Sequence, residues 1–247
     1  MLVFLIILGL LIGSFLNVCI YRLPQNKSVV TPSSHCAICS THLNPWDLIP
    51  VLSYLLTQGH CRYCGTRFSS RYPMIELLTA VLFVCCFQIF GLSLQLIKAL
   101  ILTSFLLIIT FIDYDHQLIL DNVLLWFSLS GVAINLWMNS LSVGDMFFAS
   151  LLGGGLLFLI AVLSRGGMGD GDIKFAVALG LWLDWQCVLL ALFIAFVLGG
   201  IGSLLLLLLK LKSRKDFIPF GPFIALGTLI TVLYGNKIFS LYLEKLS

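Results

Sequence analysis

Four aspartates lie in two short polar segments of an otherwise apolar chain. Asp113 and Asp115 occur in FIDYDHQLILD, and Asp170 and Asp172 alternate with glycines in RGGMGDGDIKF. Three kinds of site use such acids. Two carboxylates that share one proton can cleave a peptide bond, carboxylate oxygens can hold Mg²⁺ or Ca²⁺, and acids along a membrane path can carry ions.

Glycines surround the second pair of aspartates. They let a substrate strand approach the main chain, which favours the proteolytic interpretation. A flexible linker would have the same composition, so this pattern alone is weak. Lys174 follows, but no Ser or Thr comes after it, so the segment is not a phosphate-binding loop.

Four cysteines of the polar loop 21–73 form a second set of candidate ligands. Cys36 and Cys39 are separated by two residues, and Cys61 and Cys64 repeat that spacing further along the loop. Two such pairs supply the four thiolates of a tetrahedral zinc ion. The pattern predicts structural zinc, with free thiols or reversible redox pairs as the alternative.

The rest of the chain must position these residues in a membrane. Its 247 residues are 60% hydrophobic and 10% charged, with a mean hydropathy of +1.08. A soluble domain of this length could not bury so much apolar surface. The net charge of +3 is small, and no basic patch with interleaved aromatics indicates a nucleic-acid partner. The composition therefore predicts an all-α integral membrane protein in contact with lipid.

We predict about eight transmembrane helices, because apolar runs of about 20 residues recur along the chain. The predicted spans are 2–20, 74–90, 94–112, 122–138, 146–163, 174–186, 187–209 and 222–240. The stretch 174–209 could also be one span. Eight spans place most of the 14 lysines and arginines, including those of the linker 210–216, on the cytoplasmic side.

The predicted topology divides the chain into three parts. Residues 1–20 form a retained first transmembrane helix, and residues 21–73 form a small zinc-binding cytoplasmic loop domain. Residues 74–247 form the transmembrane domain that carries the aspartates. Asp113 and Asp172 then lie at the cytoplasmic ends of their helices, on one side of the membrane, as a shared site requires.

Several sequence blocks carry a family resemblance. They are GLLIGSFLNVCIYRLP, SHCAIC, HCRYCG, SRYPMIELLTA, FIDYDHQLILD, GMGDGDIKFAVALG and IPFGPFIAL. In order and spacing they resemble the type IV prepilin peptidases, bacterial plasma-membrane aspartyl proteases of the GxGD class, to which the presenilins also belong. The resemblance implies a transmembrane aspartyl protease domain over residues 74–247.

The family motif distinguishes the four aspartates. Its GxGD corresponds to Gly169 through Asp172, so the resemblance implies that Asp172 is catalytic and that Asp170 occupies the variable position. The partner aspartate precedes a proline by seven residues in the family. Asp113 has that offset to Leu120, so the proline is missing here and the turn is expected to be looser. Asp115 remains a rival, and Asp170 is expected to be a local helix-start residue or to pair with Lys174.

The resemblance also implies substrates and cofactors. Family members remove the short basic leader of prepilins and pseudopilins, which serve type IV pili, type II secretion or DNA uptake. They commonly also N-methylate the exposed residue, usually Phe, with S-adenosylmethionine. That reaction is expected near Gly59 and Glu76. Two alternatives from other classes are an acidic-path ion transporter and a non-catalytic, zinc-stabilised membrane assembly factor.

Overall fold

The computed structural model describes residues 1–165, 167–210 and 218–244, and within these ranges its regular structure is helical apart from two isolated β-bridges. The α-helices in these ranges are α1 (Leu2–Arg22), α2 (Leu52–Leu56), α3 (Arg71–Phe90), α4 (Leu94–His116), α5 (Asp121–Met138), α6 (Val143–Leu163), α7 (Asp170–Gly180), α8 (Trp185–Leu208) and α9 (Gly221–Glu244). The chain forms two compact units, Met1–Ile108 and Ile109–Ser247. The predicted three-part division stays a prediction.

In the first unit, α1 and α3 pack against each other in antiparallel register. A Cβ on Gly9 would lie 3.0 Å from the backbone nitrogen of Ala80, and one on Gly13 would lie 2.7 Å from the Cα of Glu76. One turn further, the side-chain amide of Asn17 donates to a carbonyl at the start of α3. Small residues four apart therefore let the two backbones touch, as in other membrane helix pairs.

The loop between α1 and α3 contains two 3₁₀ turns, Leu23–Gln25 and Pro45–Leu48, and the short helix α2. Two β-bridges, His35 with His42 and His60 with Arg67, each close a tight hairpin around one cysteine pair. The buried guanidinium of Arg22 donates to two carbonyls of the loop. The loop is therefore a folded element and not a flexible linker.

In the second unit, an aromatic cluster fixes the end of α7 against α5. The rings of Phe127 and Trp182 stack with centroids 5.2 Å apart, and the indole N–H of Trp182 donates to the Phe127 carbonyl at 2.9 Å. Phe175 packs on Phe127 edge to face. The amide of Asn135 donates to the carbonyl of Leu181, which satisfies a backbone acceptor at the end of α7. These contacts fix the helix that begins with the second aspartate pair.

The stretch 174–209 consists of two helices, as predicted, with a break just before Trp185. Asp184 caps α8 by accepting from the N–H of Cys187 at 2.8 Å. The predicted bounds 174–186 are wrong, because α7 begins at Asp170 and ends at Gly180, with 11 residues. At about 1.5 Å per residue it covers roughly half of a ~30 Å hydrocarbon core.

Six helices in the described ranges are long and apolar enough to cross a membrane. They are Leu2–Gln25, Arg71–Phe90, Leu94–His116, Val143–Leu163, Trp185–Leu208 and Gly221–Leu241. The protein is therefore an all-α multi-pass membrane protein. Neither α5 nor α7 belongs to this group, so the count of eight spans is not confirmed. The basic residues Lys212, Arg214 and Lys215 of the predicted linker lie outside the described residues.

Candidate active site

Asp113 lies in the last turn of α4 and is only 4% exposed. Its Oδ2 accepts a hydrogen bond of 3.0 Å from the backbone N–H of Gly221, the first residue of α9. A helix N-terminus has unpaired N–H groups and a partial positive charge, and both favour an anionic acceptor. The end of one helix and the start of another thus hold this carboxylate.

Asp172 is the third residue of α7 and is 5% exposed. Its carboxylate accepts from the backbone N–H of Gly169, the N-cap residue of the same helix. An acid at the third helical position reaches back to the N-cap in this way in capping boxes, which explains the three-residue spacing between Gly169 and Asp172. The motif therefore fixes the position of its own carboxylate.

The two carboxylates influence each other electrostatically. Burial raises the pKa of Asp172 to about 7, and the negative charge of Asp113 adds to this rise, while the Gly169 hydrogen bond opposes it. Asp172 is therefore about half protonated at pH 7, where an unperturbed aspartate is almost fully ionised. One protonated and one ionised carboxyl group provide an acid and a base in the same place.

Ile119 lies beside both aspartate-bearing segments. A Cβ on Gly171 would lie 3.0 Å from the Cβ of Ile119, and one on Gly221 would lie 3.3 Å from its Cδ1 and 2.6 Å from Asp113 Oδ2. The sequence did not assign roles to Ile119 or Gly221. Gly221 does occur in the block IPFGPFIAL, where a glycine followed by a proline is typical of a helix start.

The four loop cysteines come together as the spacing predicted. The sulfur atoms of Cys36, Cys39, Cys61 and Cys64 all lie within 4.8 Å of one another, and the Cys36 and Cys64 sulfurs are 3.8 Å apart. Tetrahedral zinc with Zn–S bonds of about 2.3 Å requires sulfurs roughly 3.8 Å apart. None of the four is in a disulfide. The donor set fits a zinc ion.

The two cysteine pairs have the same backbone geometry. The N–H of Cys36 donates to Thr41, and the N–H of Cys61 donates to the equivalent Thr66. The residue after each second cysteine, Ser40 or Gly65, has a positive φ and donates back to the first cysteine. Hydrogen bonds from the Thr66 side chain and backbone lower the pKa of Cys64 to about 6, which favours the thiolate that binds metal.

Sequence models of two protein families match the chain. Residues 7–90 match the Bacterial Peptidase A24 N-terminal domain, and residues 100–204 match the Type IV leader peptidase family. A Bacillus subtilis protein named "Prepilin leader peptidase/N-methyltransferase" is 37% identical over 248 residues, which cover 99% of this chain and 98% of the relative. The chain belongs to the type IV leader peptidase family.

Relatives from other bacteria carry the same name as the Bacillus subtilis protein. The one from Legionella pneumophila is 35% identical over 95% of this chain and 92% of the relative. The one from Pseudomonas aeruginosa is 33% identical over 97% of this chain and 92% of the relative. No solved structure matches the chain. This member of the type IV leader peptidase family is thus an enzyme, and the transporter and assembly-factor alternatives are set aside.

The other two aspartates of the two polar segments differ from the buried pair in their exposure. Asp115 is exposed, one turn or less from Asp113. Asp170 is also exposed and forms an ion pair of 3.0 Å with Lys174, as predicted, and Lys174 forms a second one with Asp121. Of the four aspartates, only Asp113 and Asp172 are buried.

The missing family proline does not change the φ angle at its position. Leu120 has φ −73° and ψ 127°, and it is the N-cap of α5. Proline would fix φ near the same value, at about −65°. The expected loosening of this turn is therefore not visible in the backbone.

The two residues expected near the methylation site lie in the first unit. Gly59 has φ +73°, and a Cβ there would lie 2.8 Å from the Tyr54 ring. Glu76 is 7% exposed; it is hydrogen-bonded to Ser14 of α1 and accepts from the N–H of Val51 at 2.8 Å. The backbone conformation and the nearby Tyr54 ring therefore require glycine at position 59. Glu76 links the loop to the α1–α3 pair.

Proposed function

We propose that this chain is a prepilin leader peptidase and N-methyltransferase of the bacterial inner membrane, with Asp113 and Asp172 as the catalytic pair. The observation that carries the proposal is the burial of these two acids, each held by the N–H of a glycine at a helix N-terminus. Full-length similarity to relatives with that name supports the substrate class. The aspartates are expected at the cytoplasmic membrane face.

The mechanism follows from a pair that holds one proton. The ionised carboxylate takes a proton from water, whose oxygen attacks the carbonyl carbon of the scissile peptide bond. The protonated carboxyl group supplies the proton that the leaving nitrogen requires when the tetrahedral intermediate collapses. The acid and base roles belong to the pair, because two coupled carboxyl groups titrate as a unit.

The site also suits a substrate that is itself partly in the membrane. Asp113 ends a membrane-length helix, and Asp172 begins a helix too short to span. A prepilin carries a short polar leader followed by an apolar segment, so its scissile bond lies at a membrane boundary. Gly169 and Gly171 serve contacts within the protein, because a Cβ at these positions would lie 3.0 Å from Asp172 Oδ2 and 3.0 Å from the Cβ of Ile119.

We assign the structural zinc to the loop domain. We assign methyl transfer to the region of the same domain near Gly59 and Glu76. Four thiolates at tetrahedral spacing would close the coordination shell, which is typical of structural rather than catalytic zinc. S-adenosylmethionine would supply the methyl group. The new N-terminal amine must lose a proton before it can accept that group, and the buried carboxylate of Glu76 is a candidate acceptor.

Co-expression with a prepilin tests the proposal. Leader removal is measured from the mobility shift of the substrate, and methylation from the mass of its new N-terminus. Cleavage is expected with the unchanged protein and lost in Asp113→Asn and Asp172→Asn. Full cleavage by either variant would refute the assignment of these two aspartates as the catalytic pair. Transfer of label from S-adenosylmethionine to the cleaved product tests the second activity independently.

A further inference from the structure

An apolar segment of the loop domain, Asn44–Leu56, exposes large hydrophobic side chains. They are Trp46, Leu48, Leu52, Leu55 and Leu56, and the exposed fraction is 73% for Trp46 and 80% for Leu56. In α2, three of these leucines are spaced three and four residues apart and share one helix face. An apolar cluster of this kind on a polar loop marks an interaction surface.

The single charge of the apolar segment is neutralised. Asp47, the only ionisable residue between Asn44 and Leu56 other than tyrosine, has a side chain that is 8% exposed and pairs with Arg62 at 3.3 Å. The hydroxyl of Tyr63 donates to its other oxygen at 2.9 Å. Arg62 and Tyr63 are the two residues between Cys61 and Cys64, so the cysteine cluster fixes this end of the segment.

The middle of the apolar segment is fixed by α3. Val51 has φ +62°, and the N–H of Leu52 donates to the carbonyl of Pro50 at 2.6 Å, which closes a γ-turn. This turn is strained for a β-branched residue, and it directs the N–H of Val51 at Glu76 Oε2, 2.8 Å away. A buried acceptor on α3 thus supports this strained turn.

The position of Glu76 sets the depth of the segment. Glu76 lies five residues past the start of α3, about 7.5 Å along the helix axis at ~1.5 Å per residue. It faces Gly13, which is nine residues before the end of α1. Both helices have the length and composition of membrane spans. The backbone of Val51 therefore lies level with the membrane-crossing helices and not beyond their ends.

We propose that the apolar segment Asn44–Leu56 is an interfacial membrane element whose partner is the lipid bilayer that α1 and α3 cross. Exposed leucines and a tryptophan in a segment attached to membrane-crossing helices match the headgroup–acyl boundary, where Trp is enriched and short apolar faces insert. The metal cluster and Glu76 hold the segment in this position. The inference depends on the membrane helices and is independent of the proposed catalytic activities.

A photocrosslinker tests the proposal in the full-length protein. p-Benzoylphenylalanine replaces Leu56, and the purified chain is reconstituted in vesicles of phosphatidylethanolamine and phosphatidylglycerol and irradiated. Mass spectrometry then identifies what has been captured. Phospholipid adducts are expected as the main product. Crosslinked dimers, capture of a co-reconstituted prepilin in place of lipid, or no adduct at all would each overturn the proposal.

Ile38 provides the matched control. It is 70% exposed, apolar and part of the same loop, but it lies in the first cysteine pair and outside the apolar segment. We expect at least fivefold fewer lipid adducts from the crosslinker at Ile38 than at Leu56. Equal adducts at both positions would mean that the whole loop touches lipid, which contradicts a specific element.

The tether to Glu76 is tested by two substitutions with the crosslinker at Leu56. Glu76→Ala removes the acceptor for the Val51 N–H, and lipid adducts are expected to fall severalfold. Glu76→Gln keeps a carbonyl oxygen at the same place, and the adducts are expected to recover. The zinc content of each variant reports whether the loop domain is still folded. Unchanged adducts in Glu76→Ala with zinc retained would refute the tether.

Discussion

The cysteine cluster and the aspartate pair are built in opposite ways. The cysteines come from one loop, and hydrogen bonds within each tight hairpin shape their surroundings. Asp113 and Asp172 lie on different helices, and the Gly221 N–H that holds Asp113 is 108 residues away in the sequence. The first site depends on local backbone geometry and has the donor set for a metal ion. The second depends on how α4, α7 and α9 pack.

The largest effect is expected at the aspartate pair. Asp113→Asn and Asp172→Asn keep an oxygen that can accept the glycine N–H but remove the acid–base function. We expect leader cleavage to fall by at least the ~10²–10⁴-fold that a general acid or base contributes. Cleavage is measured as the initial rate on a purified prepilin in detergent.

Asp115→Asn and Asp170→Asn are the matched controls for this prediction. Both aspartates are exposed, and each lies two residues from a buried one. Their cleavage rates are expected to stay within about threefold of the unchanged protein. If Asp115→Asn lost as much cleavage as Asp113→Asn, the exposed Asp115 would be catalytic. Burial would then not distinguish the catalytic aspartates from the others.

The two sites differ in how far the sequence alone could predict them. The spacing of Cys36, Cys39, Cys61 and Cys64 predicted the metal cluster directly, because two pairs in one loop have few ways to fold around an ion. The spacing of the aspartates left each pair ambiguous. The family motif selected Asp113 and Asp172, and the structure shows the physical difference, which is burial.

Other features depended on packing that no local pattern contains. The end of α7 was predicted too late because apolar residues continue past Gly180, where the chain leaves the helix and Trp182 packs on Phe127. The contact of Ile119 with both Gly171 and Gly221 joins three distant segments. Hydropathy along the chain carries no information about such contacts.

Removal of a metal ligand is expected to impair the loop domain more than the aspartate site. Cys36→Ala removes one of four ligands, and the bound zinc should fall from about one per chain to near zero. Metal binding and folding are coupled in small zinc domains, so the loop should become sensitive to protease. Zinc is measured by atomic emission, and methylation and cleavage are assayed on the same sample.

Methylation is expected to fall further than cleavage in Cys36→Ala, because the two aspartates proposed to be catalytic lie in the other compact unit. Cys187→Ala is the control, since it removes a half-buried cysteine of α8 outside the cluster. Retention of zinc in Cys36→Ala would refute the four-thiolate site. A loss of cleavage equal to that of Asp172→Asn would show that the two regions are not functionally separable.

Gly221→Ala tests whether packing really determines the aspartate site. The new Cβ would lie 2.6 Å from Asp113 Oδ2, so the carboxylate or the start of α9 must move and the N–H hydrogen bond weakens. A hydrogen bond to a charged group contributes about 1.5–3 kcal/mol, so cleavage is expected to fall roughly 10–100-fold. The zinc content should not change.

Gly200→Ala is the matched control for this substitution. Gly200 is also in a membrane helix, and a Cβ there would have no neighbour within 4 Å. Its cleavage rate is expected to equal that of the unchanged protein, with a slight gain in thermal stability from the better helix former. If both alanines behave alike, the effect at Gly221 is not due to contact with Asp113.

The pH dependence of cleavage and of protein stability provides a further test of the aspartate site. Above pH 7 the buried pair loses its shared proton, because the pKa of Asp172 is about 7, so cleavage should fall about tenfold per pH unit. Between the unfolded pKa of about 3.9 and about 7, the folded state binds more protons, so the free energy of unfolding decreases as pH rises. Asp172→Asn should lack this decrease in thermal unfolding at pH 5 to 8, and a variant that kept it would exclude Asp172 as its source.

The smallest effect is expected at Lys174, which lies two residues after Asp172 and pairs with Asp170 and Asp121. All three side chains are at least 47% exposed, and exposed ion pairs contribute about 0–1 kcal/mol. Lys174→Met should therefore change cleavage by less than about threefold, because the hydrogen bonds that hold Asp113 and Asp172 do not involve this cation. The same assay as for the aspartate variants measures it, at low and at high salt. A large loss that salt does not reproduce in the unchanged protein would mean that Lys174 acts on the substrate, and the aspartate site would then extend to its exposed rim.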